Sequence, residues 1–301
     1  MSLAAGDAAR NTRIGMICAT SAYFIWGLVP LYFKAVGVVP ALEIIAHRVL
    51  WSVGLLALIL LITRNRSGWR QLRQQPRLGW WVAAAALFVT ANWLIFVWAV
   101  NAGRVLETSL GYYINPLVSI LFAFLFLGER LRRMQAIALA LAACGVVNQV
   151  LHLGQLPWVS IALAVSFAAY GLLRKHIPLD AVNGLFFETL LATPFALAYL
   201  LWLIHGSQLA FGQHGVVLDV TIAASGIVTA VPLMLFAAGA RRLPLTTMGF
   251  LQYLAPTLTF LQAIWIFDEA FAPSQWVTFG FIWTGLALYT ADLIRRNPTA
   301  S

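Results

Sequence analysis

The sequence predicts an all-α membrane protein with ten transmembrane helices, built as two inverted five-helix repeats with both termini cytoplasmic. Three observations lead there. The 301 residues are 61% hydrophobic and only 10% charged, far from the balance of a soluble domain. Apolar segments of roughly 20 residues, enough to cross a hydrocarbon core of ~30 Å as helix, recur along the chain. One block also returns 140 residues later without a gap: Tyr113, Pro116, Leu121, Glu129, Gln135 and Gly145 recur as Tyr253, Pro256, Leu261, Glu269, Gln275 and Gly285.

The ten segments fall at 14–36, 41–63, 80–101, 105–127, 134–151, 157–174, 181–204, 218–241, 245–267 and 274–294. They are long and unbroken, whereas the strands of a membrane barrel alternate in polarity over about ten residues. The first is too long for a signal-peptide core and has no evident cleavage site, so it reads as a retained helix.

Charge placement sets the topology. Of the 19 Lys and Arg, all but Lys34, Arg48 and Arg104 fall on one side if the amino terminus is inside, which is the positive-inside pattern. The net charge of +9 is therefore a topology signal and gives no reason to expect a nucleic-acid partner. The lipid bilayer and a small-molecule substrate are the expected partners, and oligomeric state is open. The location expected is the cell inner membrane.

The repeat divides the chain into a cytoplasmic tail (1–13), a first five-helix half (14–152), a second half (157–294) and a second tail (295–301). Weaker echoes extend it: Tyr23, Trp26, Gly27 and Leu28 match Phe167, Tyr170, Gly171 and Leu172, and Glu43 matches Glu188. Odd numbers of crossings separate the copies, so the second lies upside down relative to the first, as in many secondary transporters.

Ionisable groups in hydrocarbon cost roughly 2.5–3.5 kcal/mol each at a helix centre, so each one demands a reason. Helix 2 carries Glu43, His47 and Arg48. Glu43 and His47 stand one turn apart, where they read either as a proton-responsive or substrate-binding cluster or as a structural ion pair, with Arg48 snorkelling outward. Helix 4 has the richest polar set: Glu107, Thr108, Ser109, Tyr112, Tyr113 and Asn115, followed by Pro116, which frees the carbonyl of Tyr112 for a water or a substrate. Glu107 therefore joins Glu43, His47 and Arg48 as a candidate for proton coupling. Helix 9 repeats the device with Thr246, Thr247, Gln252, Tyr253 and Pro256. Helix 3 contributes Asn92 and Trp93, and helix 8 Thr229 and Pro232. Pro116, Pro232 and Pro256 read as kinks around a central site or as packing kinks. Asn92 reads as a ligand contact or as interhelical glue, and Glu188 as a functional or a packed carboxylate.

Cys18 and Cys144 lie within predicted helices and suggest neither a disulfide framework nor a metal site. The sequence has no phosphate-cradling glycine loop, zinc-binding HExxH or GxSxG elbow. No enzymatic activity, catalytic residue, cofactor or metal is therefore expected.

The blocks AYFIWG at Ala22 to Gly27, EIIAHR at Glu43 to Arg48, ETSLGYYINPL at Glu107 to Leu117, LGERLRRMQ at Leu127 to Gln135 and GFLQYLAPTLTFL at Gly249 to Leu261 resemble the RarD branch of the EamA transporters. The resemblance runs from about residue 15 to 295. It implies the drug/metabolite transporter (DMT) superfamily, a central cavity, and movement of small metabolites or drugs, usually outward. It also implies that helices 1, 3, 4, 6, 8 and 9 line the cavity, which makes Trp26, Asn92, Tyr113, Tyr170, Thr229, Gln252 and Tyr253 candidates for substrate contact. Glu107, Tyr112 and Asn115 join them on the polarity of helix 4. The Gly128–Glu129 pair has Asp268 and Glu269 as its counterpart, so the glycine is missing from the second copy.

The function expected is secondary transport, most simply export, by alternating access, with protons as the candidate coupling ion. The rival readings are a membrane enzyme acting on lipid-linked substrates, which needs converging carboxylates, and a non-transporting assembly protein, which needs no cavity.

Overall fold

A computed structural model describes residues 2–102, 105–153, 158–266 and 273–296. The described residues form thirteen helices and no strand. They are α1 (Ser2–Ala35), α2 (Ala41–Ile62), α3 (Ser67–Gln74), α4 (Pro76–Asn101), α5 (Val105–Leu127), α6 (Arg133–Leu153) and α7 (Trp158–His176), then α8 (Ala181–His205), α9 (Val216–Ala223), α10 (Ser225–Ala240), α11 (Leu245–Leu251), α12 (Leu254–Trp265) and α13 (Pro273–Arg296). Among the described residues 8 helices are long and apolar enough to cross a membrane, with α9 and α10 taken together as one. The chain is thus a multi-pass membrane protein. Large apolar side chains such as Phe195, Leu201 and Leu151 stand mostly exposed on its flanks, where lipid is the only solvent that suits them.

Four details differ from the sequence expectation. Helix 1 does not start at residue 14 but continues back to Ser2, because the start is rich in alanine and has no proline, which outweighs its single glycine, Gly6. The basic second connection contains α3, whose Trp69 packs edge-on against Phe187 of α8 at 4.9 Å. Helix 8 turns at Ala224, where Gly226 comes so close to the Trp51 backbone of α2 that a Cβ would lie 2.6 Å from it. Helix 9 is broken at Gln252 and Tyr253. Pro256 offers no N–H to the Gln252 carbonyl, which instead accepts a tightened bond from Ala255 at 3.3 Å. Pro116 and Pro232, by contrast, lie within continuous helices.

Helix α1 packs on α10 and α12, α7 on α4 and α5, and α2 on α8 and α10, while α4 meets α8 and α6 meets α13. Exchanging each helix for its partner in the sequence repeat turns α1·α10 into α7·α4, α1·α12 into α7·α5 and α2·α10 into α8·α4.

Two pairs of repeat partners pack directly, and both run antiparallel. At one end of α2, Glu43 bonds to Ala210 beyond the end of α8, and past the other end Asn65 bonds to Asp180, the N-cap of α8. Between α6 and α13 a Cβ on Gly145 would lie 2.8 Å from the Thr278 carbonyl oxygen, and one on Gly285 would lie 2.6 Å from that of Ala138. These are the same contact made twice, since Ala138 and Thr278 are themselves repeat partners. Lipid tails are as apolar as leucine, so van der Waals contact through such glycines is what holds membrane helices together.

The middle of the bundle is aromatic. Trp26 stands 5.5 Å from Phe167 and 5.6 Å from both Tyr23 and Phe236, and Tyr170 stacks on Phe236 at 5.8 Å. Residues matched by the repeat thus meet one another where α1, α7 and α10 join.

Candidate functional site

The polar residues sort by whether their hydrogen bonds are already taken. Glu43 is fully buried, and its carboxylate accepts the backbone N–H of Ala210 through both oxygens, at 2.9 and 3.1 Å, and that of Phe211 at 3.1 Å. It therefore ties α2 to the connection following α8. His47 lies 3.7 Å from Glu43, with its ring 5.0 Å from that of Phe211. Asn92 donates to the Leu163 carbonyl and to Ser166 Oγ, both at 2.9 Å, and so joins α4 to α7. Tyr170 donates to Glu188 at 3.1 Å, and Arg174 pairs with the same carboxylate at 3.0 Å. Arg174 was counted among the cytoplasmic charges, yet it is completely buried.

Helix α5 packs against α11 and α12. Tyr113 and Tyr253 share one buried cluster with Phe279 of α13, and Tyr113 packs edge-on against Phe279 at 5.3 Å. Gln252 accepts a long hydrogen bond from Ser119 of α5 at 3.5 Å. The Tyr253 hydroxyl and Asn115 Oδ1 are buried without a hydrogen-bond partner. The Glu107 side chain lies outside the described residues, as do those of Asn101, Arg104, Ser109, Glu269 and Gln275.

Arg48 is different. Its Nε donates to Thr229 Oγ1 of α10 at 2.8 Å, and its guanidinium carbon stands 5.2 Å from the Trp93 ring and 5.8 Å from the Phe33 ring. These faces stabilise the cation by ~0.5–2 kcal/mol each. A guanidinium has five N–H donors, and only one is used among the described residues. The terminal nitrogens Nη1 and Nη2 have no protein acceptor there, yet neither is sealed from solvent. Among the described residues no carboxylate pairs with Arg48, and Glu43, five residues earlier on the same helix, has both oxygens on backbone N–H groups.

Tyr32 of α1 and Tyr112 of α5 stand near Arg48. Tyr112 has 47% of its surface exposed. The structure therefore brings together Arg48, Trp93, Tyr112 and Thr229, and keeps Trp26, Asn92 and Tyr170 in packing contacts. Sequence reasoning left out Phe33 and Tyr32. A signal for the inward turn of Arg48 was present, since no acidic residue lies three or four positions away on its own helix.

Glu43 and Glu188 do not converge. Glu43 bonds beyond the far end of α8 while Glu188 sits near its start, so the helical rise alone separates them by on the order of 25 Å. No group of three or more His, Cys, Asp or Glu among the described residues is placed to hold a metal.

Comparison with known proteins places this architecture. The model of the EamA-like transporter family matches twice, at residues 13–149 and 157–291. The chain belongs to that family. It is a RarD-like member of the DMT superfamily. An uncharacterized transporter of Pseudomonas aeruginosa is 49% identical over 296 residues, covering 97% of this chain and 99% of its own. Protein RarD of Escherichia coli is 46% identical over 293 residues, covering 97% and 99%. The chloramphenicol-sensitive protein RarD of Pseudomonas aeruginosa is 35% identical over 290 residues, covering 94% and 96%. One crystal structure, 22% identical, superposes with a TM-score of 0.69 over 92% of this chain and 97% of that one, a likeness of fold.

Proposed function

We propose that the protein is a secondary transporter that exports small organic metabolites or drugs by alternating access. In this reading ten crossings form two inverted five-helix halves, 14–152 and 157–294. Both tails lie in the cytoplasm, and the chain sits in the cell inner membrane. The observation that carries the reading is the antiparallel packing of repeat partners, α2 with α8 and α6 with α13. A pseudo-twofold arrangement of this kind has two related conformations open to opposite sides, and rocking one half on the other exchanges them. The relatives' names, transporter and chloramphenicol-sensitive protein, agree with a small organic solute. Separation of Glu43 from Glu188 weighs against an enzyme that needs paired carboxylates.

Proton coupling through Glu43 and His47 belongs to the same reading. It requires Glu43 to give up a backbone N–H when it takes a proton, which would free the connection after α8.

Access from both sides is the property to test. In a chain with Cys18 and Cys144 replaced by serine, Tyr112→Cys should react with a membrane-impermeant maleimide in right-side-out and in inverted vesicles alike. Reaction from one side only, or from neither, would overturn alternating access.

A further inference from the structure

The geometry points to Arg48 as the recognition group for a carboxylate on the transported solute, with Trp93, Phe33 and Tyr112 forming the walls against which a flat apolar part of that solute would lie. This inference rests on the transporter reading for its context. Its physical basis is the cation itself.

A charge in the interior of a membrane protein is usually neutralised by a partner, and this chain does so elsewhere: Arg174 lies 3.0 Å from Glu188, sealed from solvent. Arg48 is also held in place, but among the described residues no carboxylate neutralises it. Thr229 fixes Nε at 2.8 Å, and the two aromatic faces hold the guanidinium plane. That leaves Nη1 and Nη2 accessible and without an acceptor among the described residues.

The fork matches a carboxylate geometrically, because two parallel N–H groups meet two oxygens, and such bonds are about twice as strong as neutral ones. Charge count favours a monoanion. A phosphate ester would bring nearly two negative charges to the single cation of Arg48. Tyr112 adds a half-exposed phenol. Aromatic walls favour a ring or another flat apolar body in the remainder of the solute.

The probes are benzoate, its neutral isostere benzamide, and phenyl phosphate, with binding to purified full-length protein followed by microscale thermophoresis. Benzoate should bind the wild type at least 10-fold more tightly than either of the others. Arg48→Gln should weaken benzoate at least 100-fold and leave benzamide unchanged. Arg48→Lys, which keeps the charge and loses the fork, should fall between. Thr229→Val, which frees the guanidinium from its anchor, should weaken benzoate about 10-fold.

Benzamide binding as well as benzoate, phenyl phosphate binding more tightly, or no benzoate binding to the wild type would each overturn the proposal. The comparison among probes needs only wild-type protein, so a variant that fails to fold does not stop the test. Tyr112→Cys labelling from both sides together with indifference to benzoate would reject the carboxylate site alone. Labelling from one side with charge-selective benzoate binding would reject alternating access and leave the site intact.

Discussion

Arg174 and Glu188 form an ion pair of 3.0 Å between α7 and α8, with neither side chain open to solvent. The second carboxylate oxygen takes the Tyr170 hydroxyl at 3.1 Å, so both oxygens are satisfied. Gly184 makes room for the pair, since a Cβ there would fall on the guanidinium.

The pair predicts an asymmetric mutational response. Glu188→Leu strands the Arg174 charge in a low-dielectric interior and should cost ~3–5 kcal/mol, whereas Arg174→Met combined with Glu188→Leu removes both charges and should recover most of that. Thermal unfolding in detergent measures it. Equal loss in the single and double variants would show that side-chain shape matters here and charge does not.

Gly145 and Gly285 give a second prediction. Each faces a backbone carbonyl of the opposing helix at under 3 Å from an added Cβ, while Gly280 on α13 has open space around it. Gly145→Leu and Gly285→Leu should each force α6 and α13 apart and lose at least ~1–3 kcal/mol, and Gly280→Leu should be neutral or slightly stabilising. The same detergent unfolding assay distinguishes them. A loss at Gly280 as large as at Gly285 would contradict the packing.

These two sites show how far the sequence could be read. The 140-residue spacing of Gly145 and Gly285 was visible as a repeat, and the structure gives the reason for both glycines. Helix positions were legible because apolar length is a property of consecutive residues. Arg174 was not legible. It stands in a basic cluster at the end of an apolar run, and only the fold brings Glu188 to it. Arg48 shows the opposite case: its sequence reports a charge without a neighbour, and its orientation depends on Thr229, 181 positions away. The break before Pro256 and the unbroken helix through Pro116 also separate two residues that the repeat makes identical, because neighbouring packing decides how a missing N–H is absorbed.

Glu129 carries the last prediction. It stands in the connection after α5, where Gly128 adopts a left-handed φ of 63° that a residue without a Cβ takes at no cost. Its carboxylate accepts the backbone N–H of Leu245 at 2.7 Å, that of Thr246 at 2.9 Å and the Thr246 hydroxyl at 2.6 Å, with the Lys175 ammonium 3.5 Å away. Partial burial pushes its pKa up, but the bonds from Thr246 and Leu245 and the nearby Lys175 outweigh burial and hold it below the usual glutamate value. A depressed folded value stabilises the protein in full above the unfolded value of about 4.3, and that stabilisation disappears as pH falls through the folded value. Glu129→Gln should therefore lower Tm at pH 7, by a loss of ~0.5–2 kcal/mol typical of a helix cap. The gap from wild type should close as the buffer is taken below pH 4. A gap that stays constant from pH 7 to pH 3.5 would mean that the Glu129 charge does not hold the start of α11.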